Sequence, residues 1–153
     1  MEPLRLEIDL DCSPAHAFAT WTARFDQWWP RSHTVTGAPT AVMLEPHVGG
    51  RLYERAMDGH EIDWGEITVW DPPHRLAYLW YIRRDRSDAT DVEITFAGRG
   101  DGTTRVEIVH SGWERLGDGE TWRDANRGGW AGLLPSFVTA CTVPRAPTKE
   151  RST

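Results

Sequence analysis

The final long segment, residues 118–141, constrains this chain more than any other stretch. Its apolar residues recur at intervals of three and four, the spacing that gathers side chains on one face of an α-helix. Such a helix is about 34 Å long at roughly 1.5 Å per residue, enough to cross the sheet of a small domain. Most of the upstream sequence has the pattern of strands, so the helix is predicted to lie on a sheet. The residues of its apolar face are Trp122, Ala125, Gly129, Trp130, Leu133, Leu134, Phe137, Val138 and Cys141.

Three residues interrupt this predicted helix. Gly128 and Gly129 each cost about 1 kcal/mol in a helix interior relative to alanine. We therefore expect a bulky group, an aromatic ring from the sheet, to approach the backbone there. Pro135 removes one backbone hydrogen bond and is expected to bend the helix. A bent helix held by a sheet leaves room for a cavity.

The chain before this helix begins with a strand and two short helices. Residues 4–11 alternate apolar and polar side chains, as a half-buried strand does. A helix over residues 14–22 follows, because Ser13 provides an N-cap and Pro14 suits the first turn. A second short helix is predicted to end at Pro30.

Six further strands are predicted, and short turns join them. Asp58-Gly59 is a strong signal for a tight hairpin, and the glycine-rich stretch 98–102 marks another turn. Since short turns join antiparallel neighbours, the strands are predicted to form an antiparallel meander. Their predicted ranges are residues 41–45, 51–57, 61–70, 75–82, 91–97 and 103–112.

Length and charge limit the class of protein. The 153 residues suit one domain, predicted over residues 1–142 and followed by a disordered tail over 143–153. A net charge of -6 without any basic run argues against binding to nucleic acid or to an anionic membrane. No apolar stretch approaches the roughly 18 residues of a membrane span, and the N-terminus lacks a signal-peptide pattern. A cytoplasmic protein is therefore expected.

Nine tryptophans are the unusual feature of the composition. So many large rings suit either a ligand pocket or an adhesive protein surface. The two cysteines, Cys12 and Cys141, lack metal-like spacing and are predicted to be small buried residues rather than a disulfide. The six histidines are scattered and form no metal-binding motif, so neither a metal nor a cofactor is predicted.

Several short motifs punctuate the predicted strands and the final helix. They are Gly49-Gly50, Gly65-Glu66-Ile67, Asp71-Pro72-Pro73-His74-Arg75-Leu76, Tyr78 to Trp80, Gly102-Thr103-Thr104-Arg105-Val106, His110-Ser111-Gly112-Trp113, and Gly129-Trp130 with Leu133. Together with the order of elements, these motifs resemble the START and birch-pollen-allergen superfamily, often called SRPBCC. Within it they resemble the branch named after the activator of the ninety-kilodalton heat-shock protein ATPase, over about residues 4–141.

This resemblance implies an α+β helix-grip fold, β-α-α-β6-α, in which a curved seven-stranded antiparallel sheet wraps around the long C-terminal helix. The superfamily includes lipid carriers, hormone receptors, cyclases and co-chaperone domains, so the fold alone does not select a function. It also offers no shared catalytic motif that transfers onto these positions.

The favoured hypothesis is a protein that binds a small hydrophobic or aromatic molecule between the sheet and the final helix. The motivation is the surplus of rings on faces that the implied fold turns inward. The predicted wall consists of Tyr53, Tyr78, Trp80, Phe96, His110, Trp130, Leu133 and Phe137, with Trp28 and Trp29 at the entrance.

His110 is the one titratable residue assigned a possible catalytic role. It shares the inward phase of its strand with Val106 and Ile108, so it would hold the polar end of a ligand or donate a proton. In the second case the protein would be a cyclase- or hydrolase-like enzyme. The alternative is a buried histidine that hydrogen bonds to a neighbour.

A second hypothesis, from a different class, is a protein-interaction or regulatory module of co-chaperone type with a filled core. Trp64 and Trp70 share one face of a predicted strand, and an outward aromatic face would suit a homodimer or a protein partner. Trp28 and Trp29 would then form an exposed patch rather than the entrance of a cavity.

Overall fold

A computed structural model describes residues 1–142, so the tail predicted over 143–153 lies outside the described residues. Seven strands and three α-helices occupy the described part, together with 3-10 turns at Arg31–His33, Arg86–Asp88 and Trp113–Arg115. The elements are β1 (Leu4–Leu10), α1 (Pro14–Thr22), α2 (Phe25–Trp28), β2 (Ala41–Leu44), β3 (Arg51–Arg55), β4 (Glu61–Asp71), β5 (Arg75–Trp80), β6 (Thr90–Gly98), β7 (Thr104–Ser111) and α3 (Gly119–Cys141).

The strands form one curved antiparallel sheet in the order β1-β7-β6-β5-β4-β3-β2. Strands β2 to β7 cross the sheet as a meander, and β1 pairs with β7 at the far edge. The predicted α+β helix-grip fold is therefore confirmed. None of the helices within residues 1–142 has the length and apolar character needed to cross a lipid bilayer.

Local signals in the sequence account for the first helix. The hydroxyl of Ser13 accepts a hydrogen bond from the backbone N–H of His16 at 3.2 Å, and Pro14 occupies the first turn. The predicted span of residues 14–22 is confirmed. The helix buries Phe18 and Trp21, whose spacing of three places them on one face.

The core lies between the inner face of the sheet and the helices. The Trp21 ring of α1 is at its centre, with ring centroids 4.8 Å from both Trp28 and Phe137 of α3. Trp130 and Leu133, from the predicted apolar face of α3, are buried in the same cluster. Burying each such side chain stabilises the fold by roughly 1.5–3 kcal/mol. The apolar stripe of α3 is thus a main source of core stability.

Two bulges in β4 overturn one prediction from the alternation pattern. Leu52 pairs with Gly65 but Tyr53 pairs with Asp63, which leaves Trp64 as an extra residue. A second shift, between Ile67 and Val69, occurs further along the strand. Each bulge changes which face the following residues occupy, and the Trp64 side chain is fully buried.

The prediction that Trp64 and Trp70 present an exposed aromatic face is therefore wrong. Trp64 packs in the core, and Trp70 is half-buried with its ring against Phe18 at 5.2 Å. Trp28 and Trp29 are also buried, which removes the alternative of an exposed patch.

Pro135 and the two cysteines are further residues singled out in the sequence. Pro135 lies inside the helix, which continues to Cys141; the expected bend stays a prediction. Cys141 is buried as predicted, whereas Cys12 is only half-buried because it lies in the turn between β1 and α1. Both are free thiols, and burial raises the pKa of both, that of Cys141 to about 12.

The bulge in β4 predicts an unequal response to alanine at two glycines. A Cβ atom at Gly65 would lie 2.1 Å from the backbone oxygen of Leu79, so Gly65→Ala is expected to lower the free energy of unfolding by about 1–3 kcal/mol. Gly128 faces open space in a helix, and Gly128→Ala should raise it by up to about 1 kcal/mol. Urea unfolding measures both, and equal stabilities would contradict the packing described for β4.

Candidate ligand-binding site

A cavity of about 260 Å³ opens between the N-terminal half of α3, the end of β5 and the segment after α2. This volume is just below the roughly 300–1,000 Å³ common for ligand pockets, so the cavity suits a small molecule or one end of a larger one. Its apolar walls are Trp29, Trp80, Ile82, Trp122, Trp130 and Leu133. Four indole rings therefore surround one open space.

Four of the ten predicted wall residues line this cavity, namely Trp29, Trp80, Trp130 and Leu133. Trp28 instead borders a separate depression of about 540 Å³ between α2 and the C-terminal half of α3. This second depression lies on the protein surface and brings together fewer rings, so we place the candidate site at the first cavity. The assignment of ligand contacts to these residues stays a prediction.

The other five predicted wall residues lie elsewhere. Tyr78, Phe96, His110 and Phe137 are buried in the core behind the cavity and do not border it. Tyr53 lies on the outer side of the sheet, where the Arg51 guanidinium covers its ring at 3.9 Å. Arg51 and Tyr53 share a strand face because they are two residues apart, and the inward residue between them is Leu52.

The glycines of α3 have a different role from the one expected. A Cβ atom at Gly128 or Gly129 would meet nothing within 4 Å, so the expectation that an aromatic ring approaches the backbone there is wrong. Gly129 borders the cavity. Its lack of a side chain leaves space open beside Trp130, so the residue keeps the cavity from being filled.

The polar part of the cavity lining consists of Ser32, His33, Arg83, Arg84 and Asn126. The Arg84 guanidinium lies over the Trp122 ring at 4.9 Å, and burial lowers the pKa of Arg84 from its ordinary value. Arg83 donates a hydrogen bond to the backbone oxygen of Thr34 at 2.6 Å. No carboxylate is among the described residues that line the cavity.

The loop after α2, which contributes Ser32 and His33 to the cavity lining, is held in place by the buried carboxylate of Glu54. One carboxylate oxygen accepts hydrogen bonds from the Val35 N–H at 2.6 Å and from the Trp64 indole at 2.8 Å. The other accepts from the N–H and the hydroxyl of Thr36, at 3.0 and 2.8 Å. Burial alone would raise the pKa of Glu54, but these hydrogen bonds outweigh it and lower the pKa. The carboxylate is therefore ionised and ties this segment to β3.

His110 lies one layer behind the cavity, with both ring nitrogens engaged. The Trp130 indole donates to Nδ1 at 3.0 Å, so the ring proton resides on Nε2 and is donated to the Thr90 hydroxyl at 2.7 Å. That hydroxyl donates in turn to the backbone oxygen of Trp80 at 3.3 Å. Burial, and secondarily the charge of Arg84, lowers the pKa of His110 to about 3. The neutral ring thus positions Trp130, as the buried-histidine alternative predicts.

The arginines of the cavity carry no signal in the sequence that points to a site. The charge pattern of residues 83–90 is typical of a solvated strand connection, whereas Arg83 and Arg84 fold back onto the cavity rim. Trp122 and Gly129 do belong to the predicted apolar stripe of α3, and their positions on it are a usable signal. Within residues 1–142, no group of three or more His, Cys, Asp or Glu side chains is placed to hold a metal ion.

Comparisons with known proteins agree with this architecture. Residues 11–141 match the family model described as Activator of Hsp90 ATPase homolog 1-like protein. The anthrahydroquino-γ-pyrone synthase Txn09, solved in complex with a ligand, is 34% identical with a TM-score of 0.65, covering 92% of this chain and 97% of that chain. The self-sacrificing resistance protein CalC from Micromonospora echinospora is 25% identical with a TM-score of 0.66, over 92% and 94% of the two chains.

A more distant likeness is to an HSP90 activator from Plasmodium falciparum, at 16% identity and a TM-score of 0.65, with 94% of this chain and 99% of that chain covered. At this identity the likeness shows the fold alone. No curated protein matches the sequence significantly.

The burial of His110, which lowers its pKa, predicts a loss of stability in mild acid. The pKa of His110 is about 3 in the folded protein and near 6.5 in the unfolded chain. As the pH falls from 7 to 5, this histidine therefore binds a proton only in the unfolded chain. The free energy of unfolding should therefore drop by about 2 kcal/mol over this range. Urea unfolding at several pH values measures the drop, which His110→Asn should abolish. The exposed His47→Asn variant is the control and should keep it.

The hydrogen bonds of Glu54 predict a large effect of a small substitution. Glu54→Gln removes the charge and turns an N–H donor toward groups that themselves donate, so it should cost about 1.5–3 kcal/mol of stability. Glu61→Gln alters an exposed ion pair with Arg51 and should cost less than about 1 kcal/mol. Equal effects in denaturant titrations would show that the Glu54 carboxylate does not hold the segment.

Proposed function

This chain belongs to the family of Activator of Hsp90 ATPase homolog 1-like proteins, and we propose that it binds a small aromatic molecule in the cavity beside α3. The observation that carries the proposal is the lining of this cavity by Trp29, Trp80, Trp122 and Trp130. Flat rings on several sides of an open space favour a flat ligand, because aromatic pairs gain free energy beyond their buried area.

The apolar walls supply the affinity in this proposal. Apolar surface removed from water contributes roughly 25 cal/mol per Å², and a flat ligand between indoles would bury most of its area. The walls are also rigid: Trp29 packs against Trp64 and Trp80 with centroids 5.3 and 5.9 Å away, and His110 holds Trp130. A preformed cavity reduces the entropy lost on binding.

The name of one similar protein supports a fused-ring ligand. Txn09, at 34% identity, is an anthrahydroquino-γ-pyrone synthase and was solved with a ligand bound. We therefore infer a fused-ring aromatic compound as the ligand class for this chain.

The two alternative functions have less support. A cyclase- or hydrolase-like role for His110 requires a ring nitrogen free to exchange a proton, and both nitrogens hydrogen bond within the protein. A co-chaperone-like role has the family name in its favour. Of the expected partner surface, however, Trp28 and Trp64 are buried and Trp70 is half-buried against the core. Binding of a small molecule requires only the cavity that exists.

Filling the cavity from α3 tests the proposal. Gly129→Leu places a side chain in the open space, where it would compete with a bound ligand. The variant should therefore bind aloe-emodin, an uncharged anthraquinone, at least about 10-fold more weakly, because the ligand would lose apolar contacts with several side chains of the wall. Quenching of tryptophan fluorescence measures the affinity.

Gly128→Leu is the matched control, because it removes the adjacent helical glycine but does not border the cavity. Both variants gain helix propensity to the same extent, about 1 kcal/mol at most, so a difference in affinity reports the cavity. Equal affinities in the two variants, or no quenching of the wild type, would refute binding at this site.

A further inference from the structure

The cavity is cationic, although the chain as a whole is acidic. The net charge is -6, yet the charged residues bordering the cavity are Arg83 and Arg84. Elsewhere in the described chain arginines commonly pair with carboxylates; Arg86, in the same loop, pairs with Glu66 at 2.9 Å. Neither Arg83 nor Arg84 forms an ion pair with a described residue. Their charge at the cavity is therefore not neutralised by contact.

Arg84 is held in place but retains hydrogen-bonding capacity. Its terminal nitrogens donate to the backbone oxygens of Asp88 and, at 3.4 Å, of Trp80. The Nε proton is buried and has no partner in the described part of the chain. The carboxylates of Asp88 and Asp118 attract the guanidinium electrostatically but form no ion pair with it. A guanidinium has five N–H donors, and the terminal nitrogens of Arg84 make only these two hydrogen bonds with described residues. N–H protons of the terminal nitrogens therefore remain for a ligand in the cavity.

The backbone brings the two arginines to the same rim. Arg83 is the only non-glycine residue of the described chain in the left-handed region, with a φ of 64°. Successive residues of a strand point to opposite faces. The turn after β5 does not follow this alternation, so Arg83 and Arg84 both border the cavity. Arg83 is anchored there by its hydrogen bond to Thr34. A conformation that L-residues avoid persists only where the surroundings stabilise it.

We propose that Arg84, with Arg83 at the rim, binds an anionic oxygen of the aromatic ligand while the indoles hold its rings. The inference deepens the proposed binding function and rests on it. A guanidinium has several N–H donors in a fixed plane, which suits a carboxylate or an ionised phenol. Partial burial beside Trp122 strengthens the attraction, because water screens it less. The ligand class is thus a fused-ring aromatic acid rather than a neutral hydrocarbon.

A matched pair of dyes tests this charge preference. Rhein and aloe-emodin share one anthraquinone skeleton and differ in a carboxylate against a hydroxymethyl group. At neutral pH the wild-type chain should bind rhein at least about 10-fold more tightly, the range expected when a hydrogen bond gains a charge. Fluorescence quenching and calorimetry measure the ratio, which does not depend on any variant folding.

Variants assign the preference to the arginines. Arg84→Met keeps an apolar stem over Trp122 and should bring the two affinities to within about 3-fold by weakening rhein alone. Arg83→Met should reduce the ratio by a smaller factor, because this residue is more exposed. Arg86→Met is the control, since Arg86 does not border the cavity, and it should leave the ratio unchanged.

The outcomes separate this inference from the proposed function. If the wild type binds both dyes equally, or if Arg84→Met keeps the preference for rhein, the anionic site is refuted while binding in the cavity stands. If the wild type binds neither dye, both proposals fail. An equal loss of both dyes in Arg84→Met, in a variant whose thermal unfolding matches the wild type, would make Arg84 a structural residue and also refute the anionic site.

Discussion

The buried carboxylate of Glu54 joins the loop after α2 to the sheet. Its oxygens accept hydrogen bonds from the backbone N–H groups of Val35 and Thr36. The oxygen bound to Val35 also accepts a hydrogen bond from the Trp64 indole. A carboxylate without such donors would be very costly inside a protein. Because the donors come from a loop and from a strand, satisfying the charge fixes the loop against the sheet. The same loop contains Ser32 and His33, which border the cavity.

The helix α3 has two halves with different packing. Its C-terminal half places Phe137 against Trp21 in a filled core, and apolar burial there holds the helix to the sheet. Its N-terminal half presents small residues such as Gly129, where an added Cβ atom would meet nothing within 4 Å. One helix therefore stabilises the fold at one end and leaves the ligand space open at the other. His110 connects the halves by fixing Trp130 between them.

Much of the secondary structure could be predicted, because it depends on neighbouring residues. The alternation in residues 4–11 and the cap at Ser13 are local, and both elements appear where predicted. The ends of the strands were predicted less accurately than their positions. The strand predicted over 75–82, for example, ends at Trp80. The apolar stripe of α3 identified Trp130 and Leu133, which border the cavity, since helical periodicity decides which side chains face the sheet.

The sequence by itself therefore determined the order of elements, the fold class and the inward face of the final helix. Only the tertiary structure decided that Trp64 is buried, because bulges in β4 arise from pairing with other strands and reverse a strict alternation. It also decided that Arg83 and Arg84 border the cavity, since one left-handed residue redirects a loop that looks merely charged in sequence. Periodicity is a property of adjacent residues, whereas bulges and loop paths depend on contacts between residues far apart in the chain.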